Sequence, residues 1–268
     1  MRPRIAHAAA LISLVAIPLC SVAPAFAQRG GGFRGMSQEP ATQNIPYDGR
    51  FSLARLKFTT NSPAGYYYRG LPAWAHGYPD AEQNLMKIVK ELTTGRPSIG
   101  RSNVFALDDP QLFKFPVAYM AEPDYWGMTD KEAAALRAYL LKGGFLIFDD
   151  FRDDFRDGYR GWANFEEQIQ RVLPAARFVD MDTKHPIFHS FYEISTFDIV
   201  PQFYDRSRPV FRGLYEDNDP KKRLMMIVNF NTDVSNYWEF SATGWRPLSE
   251  SNEAYKLGVN YVIYALTH

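Results

Sequence analysis

Between Phe51 and Met181, short apolar runs with strand character alternate with amphipathic helical segments, and the connections are short. That alternation constrains the fold most, because neighbouring parallel strands need a crossover and a helix is the usual way to make one. FSLARLKF at Phe51–Phe58 alternates apolar and polar residues like a strand. After Asp80, Leu85, Ile88, Val89 and Leu92 share one helical face, with Asp80 and Gln83 as a capping box and Gly95 as the stop. Strands are expected around Val104–Leu107 and at Pro116–Ala121. Thr129 and Glu132 cap a helix through Leu141, which Gly143 and Gly144 end before the apolar strand Phe145–Phe148. A helix over Asn164–Leu173 stops at Pro174, and Arg177–Met181 reads as another strand. The order predicts an α/β fold, a mostly parallel sheet with helices on both faces.

From Val210 the pattern changes. FRGLY and RLMMIVNFN, separated by Asp217-Asn218-Asp219-Pro220, predict an antiparallel hairpin, and Glu253–Leu266 predicts a final amphipathic helix packed back on the sheet. At the other end, Arg2 and Arg4 precede an apolar run from Ala8 to Leu19 and the small-x-small sequence Ala25-Phe26-Ala27. This is the form of a secretory signal cleaved after Ala27. Pro18 and Pro24 interrupt the segment, and its unbroken apolar part falls short of the roughly 20 residues a spanning helix needs. The expectation is a periplasmic or secreted protein with no transmembrane segment after cleavage. Residues 28–48 are rich in Gly, Gln and Pro and read as a linker, with 49–268 as a single α/β domain. Gly30, Gly32 and Gly35 form G-x-G-x-x-G, but with no strand before and no helix after, the pattern is a tether and not a dinucleotide loop.

The single cysteine, Cys20, lies inside the signal. Cleavage therefore leaves no thiol, which excludes disulfides, thiolate metal sites and cysteine nucleophiles. The 30 basic residues balance 30 acidic ones, and losing Arg2 and Arg4 makes the mature chain slightly acidic. Nothing in that balance draws the protein to nucleic acid.

In an open α/β sheet a ligand usually sits beyond the carboxyl ends of the strands. That rule selects the aromatic loop GYYYRGLPAWAHGYPD with Arg69, Trp74 and His76, then Asp108-Asp109, then Glu122 and Trp126, then Asp149-Asp150. Rings that stack and carboxylates that accept hydroxyl hydrogen bonds suit a sugar-like ligand. The ligand-binding candidates are Arg69, Trp74, Asp108, Asp109, Glu122, Trp126, Asp149, Asp150 and His185. FDDFRDDFRDG interleaves Asp149, Asp150, Asp153, Asp154 and Asp157 with Arg152 and Arg156, and reads first as a self-paired surface loop. His185 and His189 stand four apart, but Pro186 turns His185 away from helical angles, so a capping or core role is favoured over zinc. G-x-S-x-G and the P-loop are both absent from the sequence. No catalytic residue, metal or cofactor is assigned.

FSLARLKF, LDDPQLFKFPVAYM, KEAAALRAYLLKGGFLIFDDF, HPIFHSFYEI and NEAYKLGVNYVIYALTH, in that order, resemble the bacterial family of domain of unknown function 4159. The family resembles class I glutamine amidotransferase-like, flavodoxin-like domains. Catalytic members of that fold group carry a cysteine on a sharp turn after a strand; here that turn falls at Ala121–Tyr125 and reads AEPDY. The resemblance implies a binding pocket at the strand ends without thiol chemistry, in a cell-envelope setting. The expected function is a non-catalytic module for a glycan or envelope protein partner. A carboxylate-dependent hydrolase acting on glycans, using Asp149 or Asp150 with Glu122 or His185, is the alternative.

Overall fold

The computed structural model describes residues 42–61, 67–68, 70–100, 102–154, 159–198, 200 and 208–268. The signal, most of the linker, Arg69, Arg156 and Asp157 lie outside them.

A seven-stranded sheet organises the described residues. Its strands are β1 (Ala54–Lys57), β2 (Asn103–Ala106), β3 (Val117–Ala121), β4 (Phe145–Phe151), β5 (Val179–Asp180), β6 (Val210–Tyr215) and β7 (Leu224–Phe230). Across the sheet they run β5-β6-β7-β4-β3-β1-β2. The strands from β7 to β2 are all parallel, whereas β6 is antiparallel to both β5 and β7. Counted along the chain, the five parallel strands stand in the order 2-1-3-4-5, a doubly wound arrangement whose chain reverses direction across the sheet between β1 and β3.

Side-chain alternation divides the interior into two cores. Ala118, Met120, Leu146, Phe148, Met226 and Val228 face helices α2 (Asp130–Leu141) and α3 (Gly161–Val172). Val117, Tyr119, Phe145, Ile147 and Ile227 face α1 (Asp80–Leu92), α4 (Val234–Glu239) and α5 (Leu248–Thr267). Strands buried on both faces lose the apolar-polar alternation of a half-wet strand. This explains why FSLARLKF is misleading at Arg55: this charged residue of β1 is not at the surface but 0% exposed.

Local signals fix several boundaries. Thr129 and Glu132 form the reciprocal capping box, with Thr129 N donating to Glu132 Oε2 at 2.7 Å and Glu132 N to Thr129 Oγ1 at 3.2 Å. Gly143 adopts φ 107° after α2, a conformation open chiefly to glycine. The β6-β7 hairpin forms as expected, and β7 then joins the parallel sheet beside β4. Other expectations need correction. Asp80 is the first residue of α1 and not its cap; Pro79 precedes it without a side-chain hydrogen bond, so Asp80 contributes charge at the helix start instead. The third helix begins at Gly161, and the last begins at Leu248, where a polar turn after Pro247 carries no apolar periodicity to reveal it. Strand pairing in Arg177–Met181 is confined to Val179–Asp180 at the sheet edge.

Candidate functional site

The two aspartates of β4 lie at an irregularity in the sheet. Phe148 is opposite Val228 and Phe151 is opposite Phe230, so Asp149 and Asp150 together face the single residue Asn229. An extra residue of this kind re-aims the side chains around it. Asp150 takes φ 62°, and the two neighbours turn to different surroundings.

Asp149 is held by four donors. Its Oδ2 accepts from Tyr119 Oη at 2.7 Å and Ser235 N at 2.9 Å; its Oδ1 accepts from Asn229 Nδ2 at 3.1 Å and Val234 N at 3.2 Å. Tyr261 Oη closes the network on Asn229 Oδ1 at 2.9 Å. Burial, reinforced by nearby Asp233, still pushes the Asp149 carboxyl up to about 6.

Asp150 belongs to a different group. Its Oδ2 contacts His76 Nδ1, which also lies 2.7 Å from Glu122 Oε1. Asp233 completes the set: His76, Asp150 and Asp233 each present one ligand-type atom, and these atoms lie within 4.8 Å of one another. Glu122, Asp150 and Asp233 are all at most 5% exposed. Burial is the largest influence on each acid and raises all three, Asp150 and Asp233 to about 7. Burial opposes charge on His76, but Asp150 and Glu122 outweigh it and lift the imidazole to about 12. One imidazolium thus faces several buried carboxylates. Residues able to hold a metal are present, and perturbed acid-base groups gathered at strand ends mark a candidate site.

Each member has a local cause for its position. Glu122 follows β3 on a tight turn at φ 49°, with its N–H donating to Asp149 O at 3.0 Å, and Pro123–Tyr125 carry the chain away as a short 3-10 turn. Asp233 follows β7 as the cap of α4; Asn236 N donates to its Oδ1 at 2.9 Å and Ser235 Oγ does so at 3.1 Å. His76 ends the turn Ala73–Ala75. Arg55 secures that turn from below, its Nη1 donating to the carbonyls of Trp74 and His76 at 3.1 Å each while Nε pairs with Glu82 Oε1 at 2.5 Å. The buried charge that β1 carries therefore anchors the loop that brings in the imidazole.

Of the sequence candidates, Glu122 and Asp150 converge here, with Asp149 bracing them from behind. The others are elsewhere. Trp74 and Trp126 are core residues, 1% and 0% exposed, packing on Tyr78 and Phe148. A loop position does not make an aromatic ring a rim residue when the loop folds back over the sheet. Asp108 is ion-paired with Lys131 at 2.7 Å, and Asp109 caps a 3-10 turn through Gln111 N at 2.8 Å. His185 caps its own turn, its Nδ1 accepting from Ile187 N at 3.2 Å, while His189 pairs with Glu193 at 2.5 Å. Asp153 accepts from Trp162 N at the start of α3. Arg69 lies outside the described residues.

Sequence reasoning noted His76 in its loop but left it out of the ligand-binding candidates, and it passed over Asp233. His76 was hidden among the aromatic residues of its loop. Asp233 follows a strand taken only as half of a hairpin; recognising β7 as the last parallel strand would have brought Asp233 under the same carboxyl-end rule as Glu122 and Asp150.

The sequence model of domain of unknown function 4159 matches residues 53–266. The chain belongs to that family. The matched span takes in the whole sheet and every residue of the candidate site described above. A search of curated proteins returned no match. Among the described residues, no helix is long and apolar enough to cross a membrane.

Proposed function

We propose that this chain is a secreted, non-thiol binding module of the bacterial envelope that takes a polar ligand at the His76–Glu122–Asp150–Asp233 centre. The observation that carries the reading is the convergence of these four side chains beyond the carboxyl ends of the parallel strands. Glu122 and His76 flank the β1/β3 reversal, which is where doubly wound sheets bind ligands. The amidotransferase-like resemblance agrees in locating a turn after β3, and Glu122 fills it where that chemistry needs a cysteine. The signal sequence supports export and the carboxylates suit hydroxyl-rich partners, so a glycan or glycan-bearing envelope component is the ligand class.

The geometry counts against the glycan hydrolase alternative. A glycosidase needs two carboxylates on opposite sides of a sugar, about 5 Å or more apart across an open cleft. Here Glu122 and Asp150 close on the same ring nitrogen.

Two measurements test the proposal. Mass spectrometry of protein recovered from the periplasmic fraction should give a chain beginning at Gln28. Calorimetry with peptidoglycan-derived disaccharides should show binding without product formation, weakened at least tenfold by Asp150→Asn with the melting temperature not lowered. Cytoplasmic retention of the intact chain, binding unaffected by Asp150→Asn, or turnover of the disaccharide would each overturn it.

A further inference from the structure

We infer that the centre binds a divalent first-row cation, with His76, Glu122, Asp150 and Asp233 as its ligands. The inference deepens the binding reading, because such a cation would be the group on which a polar ligand docks.

The first reason is a mismatch between donors and acceptors. His76 Nδ1 lies against Glu122 and Asp150 together, yet an imidazole nitrogen has one hydrogen to give. A cation at that point satisfies both carboxylates and lets the nitrogen act as a neutral ligand.

The second reason is an oxygen without a partner. Glu122 is 4% exposed, its carboxylate is aimed at the centre through Oε1, and its buried Oε2 accepts no hydrogen bond. An ionised carboxylate is costly to bury in that condition unless a charge compensates it. Arg55 is committed to Glu82, and the one imidazolium, His76, is shared between Glu122 and Asp150.

The third reason is the size and chemistry of the donor set. The ligand atoms of His76, Asp150 and Asp233 lie within 4.8 Å of one another. Two ligands each about 2.0 to 2.2 Å from a metal stand roughly 3 to 4.4 Å apart, so a cation would draw in the widest pair and push His76 Nδ1 back from Glu122 and Asp150, which it now touches more closely than two ligands would. One imidazole with carboxylates suits zinc or manganese. Calcium prefers six to eight oxygens, and magnesium seldom takes a nitrogen ligand.

The surroundings are built to hold such a centre. Asp149 sits behind it, bonded to the first amides of α4 on one side and to Tyr119 and Asn229 on the other. It thereby braces both the irregular strand that carries Asp150 and the helix start that carries Asp233. Metal sites depend on this kind of outer support. Glu122 and Asp150 both hold left-handed backbone angles, which fix the directions in which their carboxylates leave the chain.

The test uses the full chain expressed with its signal. Metal analysis of protein purified without chelator should find zinc or manganese near one equivalent. After chelator treatment and dialysis, Zn²⁺ or Mn²⁺ alone should raise the melting temperature, while Mg²⁺ and Ca²⁺ should do so weakly or not at all. Glu122→Gln and Asp150→Asn should weaken Zn²⁺ or Mn²⁺ binding by about 100-fold or more, yet melt no lower than the native chain when both are metal-free. Absence of metal together with no thermal shift from any of the four cations would overturn the inference. So would metal binding unchanged in both variants. The binding reading fails separately: disaccharide binding that persists in chelator sinks the cation and keeps the module, whereas metal binding without any disaccharide affinity does the reverse.

Discussion

Asp149 accepts from two amides, a tyrosine and an asparagine, while Asp150, the next residue along β4, meets an imidazole nitrogen that Glu122 also approaches. Both aspartates are buried, and both are raised above the usual carboxylate range by that burial. What separates them is the supply of donors. A carboxylate with four fixed donors is a structural part; carboxylates that must share one nitrogen are held in place for something else. The protein keeps the two conditions side by side by opening the β4-β7 register by one residue. Arg55 and Glu82 belong with Asp149, since their paired charges tie β1 to α1 and to the turn before His76.

That contrast can be broken by mutation, beginning with the satisfied side. Asp149→Ala strands several buried donors at once, so equilibrium urea unfolding should show a loss of about 4 kcal/mol or more. A loss below about 1 kcal/mol would erase the distinction between the aspartates. Arg55→Met should cost about 3 kcal/mol by leaving Glu82 buried alone, and adding Glu82→Leu should recover most of it. If the double variant stays as unstable as the single one, the tie to the Trp74 and His76 carbonyls matters more than the buried charge.

On the undersupplied side the sign reverses. Glu122→Gln removes charge from a crowded centre and should stabilise metal-free protein by about 1 kcal/mol, as relief of functional strain commonly does. A clear destabilisation in the same unfolding experiment would place Glu122 with Asp149.

The histidines sharpen the comparison with a smaller effect. His76 is favoured as the cation, whereas burial lowers the pKa of His185, whose neutral Nδ1 accepts from Ile187 N. A histidine whose folded pKa is depressed stabilises the protein above its unfolded pKa of about 6.5 and loses that contribution as pH falls below it. His185 should therefore add a slight component to the pH dependence of the native melting temperature between pH 7.5 and 5.5, beside those of Asp149, Asp150 and Asp233, and His185→Asn, which can still cap the turn, should remove that component. An unchanged profile in the variant would exclude this role. Smallest of all, Asp108→Asn should leave the melting temperature within error, because the partner Lys131 is solvent-exposed.

Much of the fold was legible because its signals are local. The Thr129-Glu132 box, Gly143, the Asp217–Pro220 connection and the strand-helix alternation each act through neighbouring residues, and each has its counterpart in the structure. Glu122 and Asp150 were also accessible, because the carboxyl-end rule needs only a strand and its direction. Trp74 and Trp126 were misplaced because burial depends on which way a loop folds. Asp233 was missed because its strand pairs antiparallel with β6, its neighbour in the chain, and parallel with the more distant β4, and the nearer pairing masked the parallel one.

The sequence by itself determined the alternating α/β plan, the absence of any cysteine after Cys20 and the family to which residues 53–266 belong. Only the tertiary structure decided which acids are satisfied and which are not. His76, Glu122, Asp150 and Asp233 come from separate segments, and their proximity depends on strand order and on one irregular register. Donor supply and burial are properties of three-dimensional surroundings, so two aspartates adjacent in sequence can hold opposite roles.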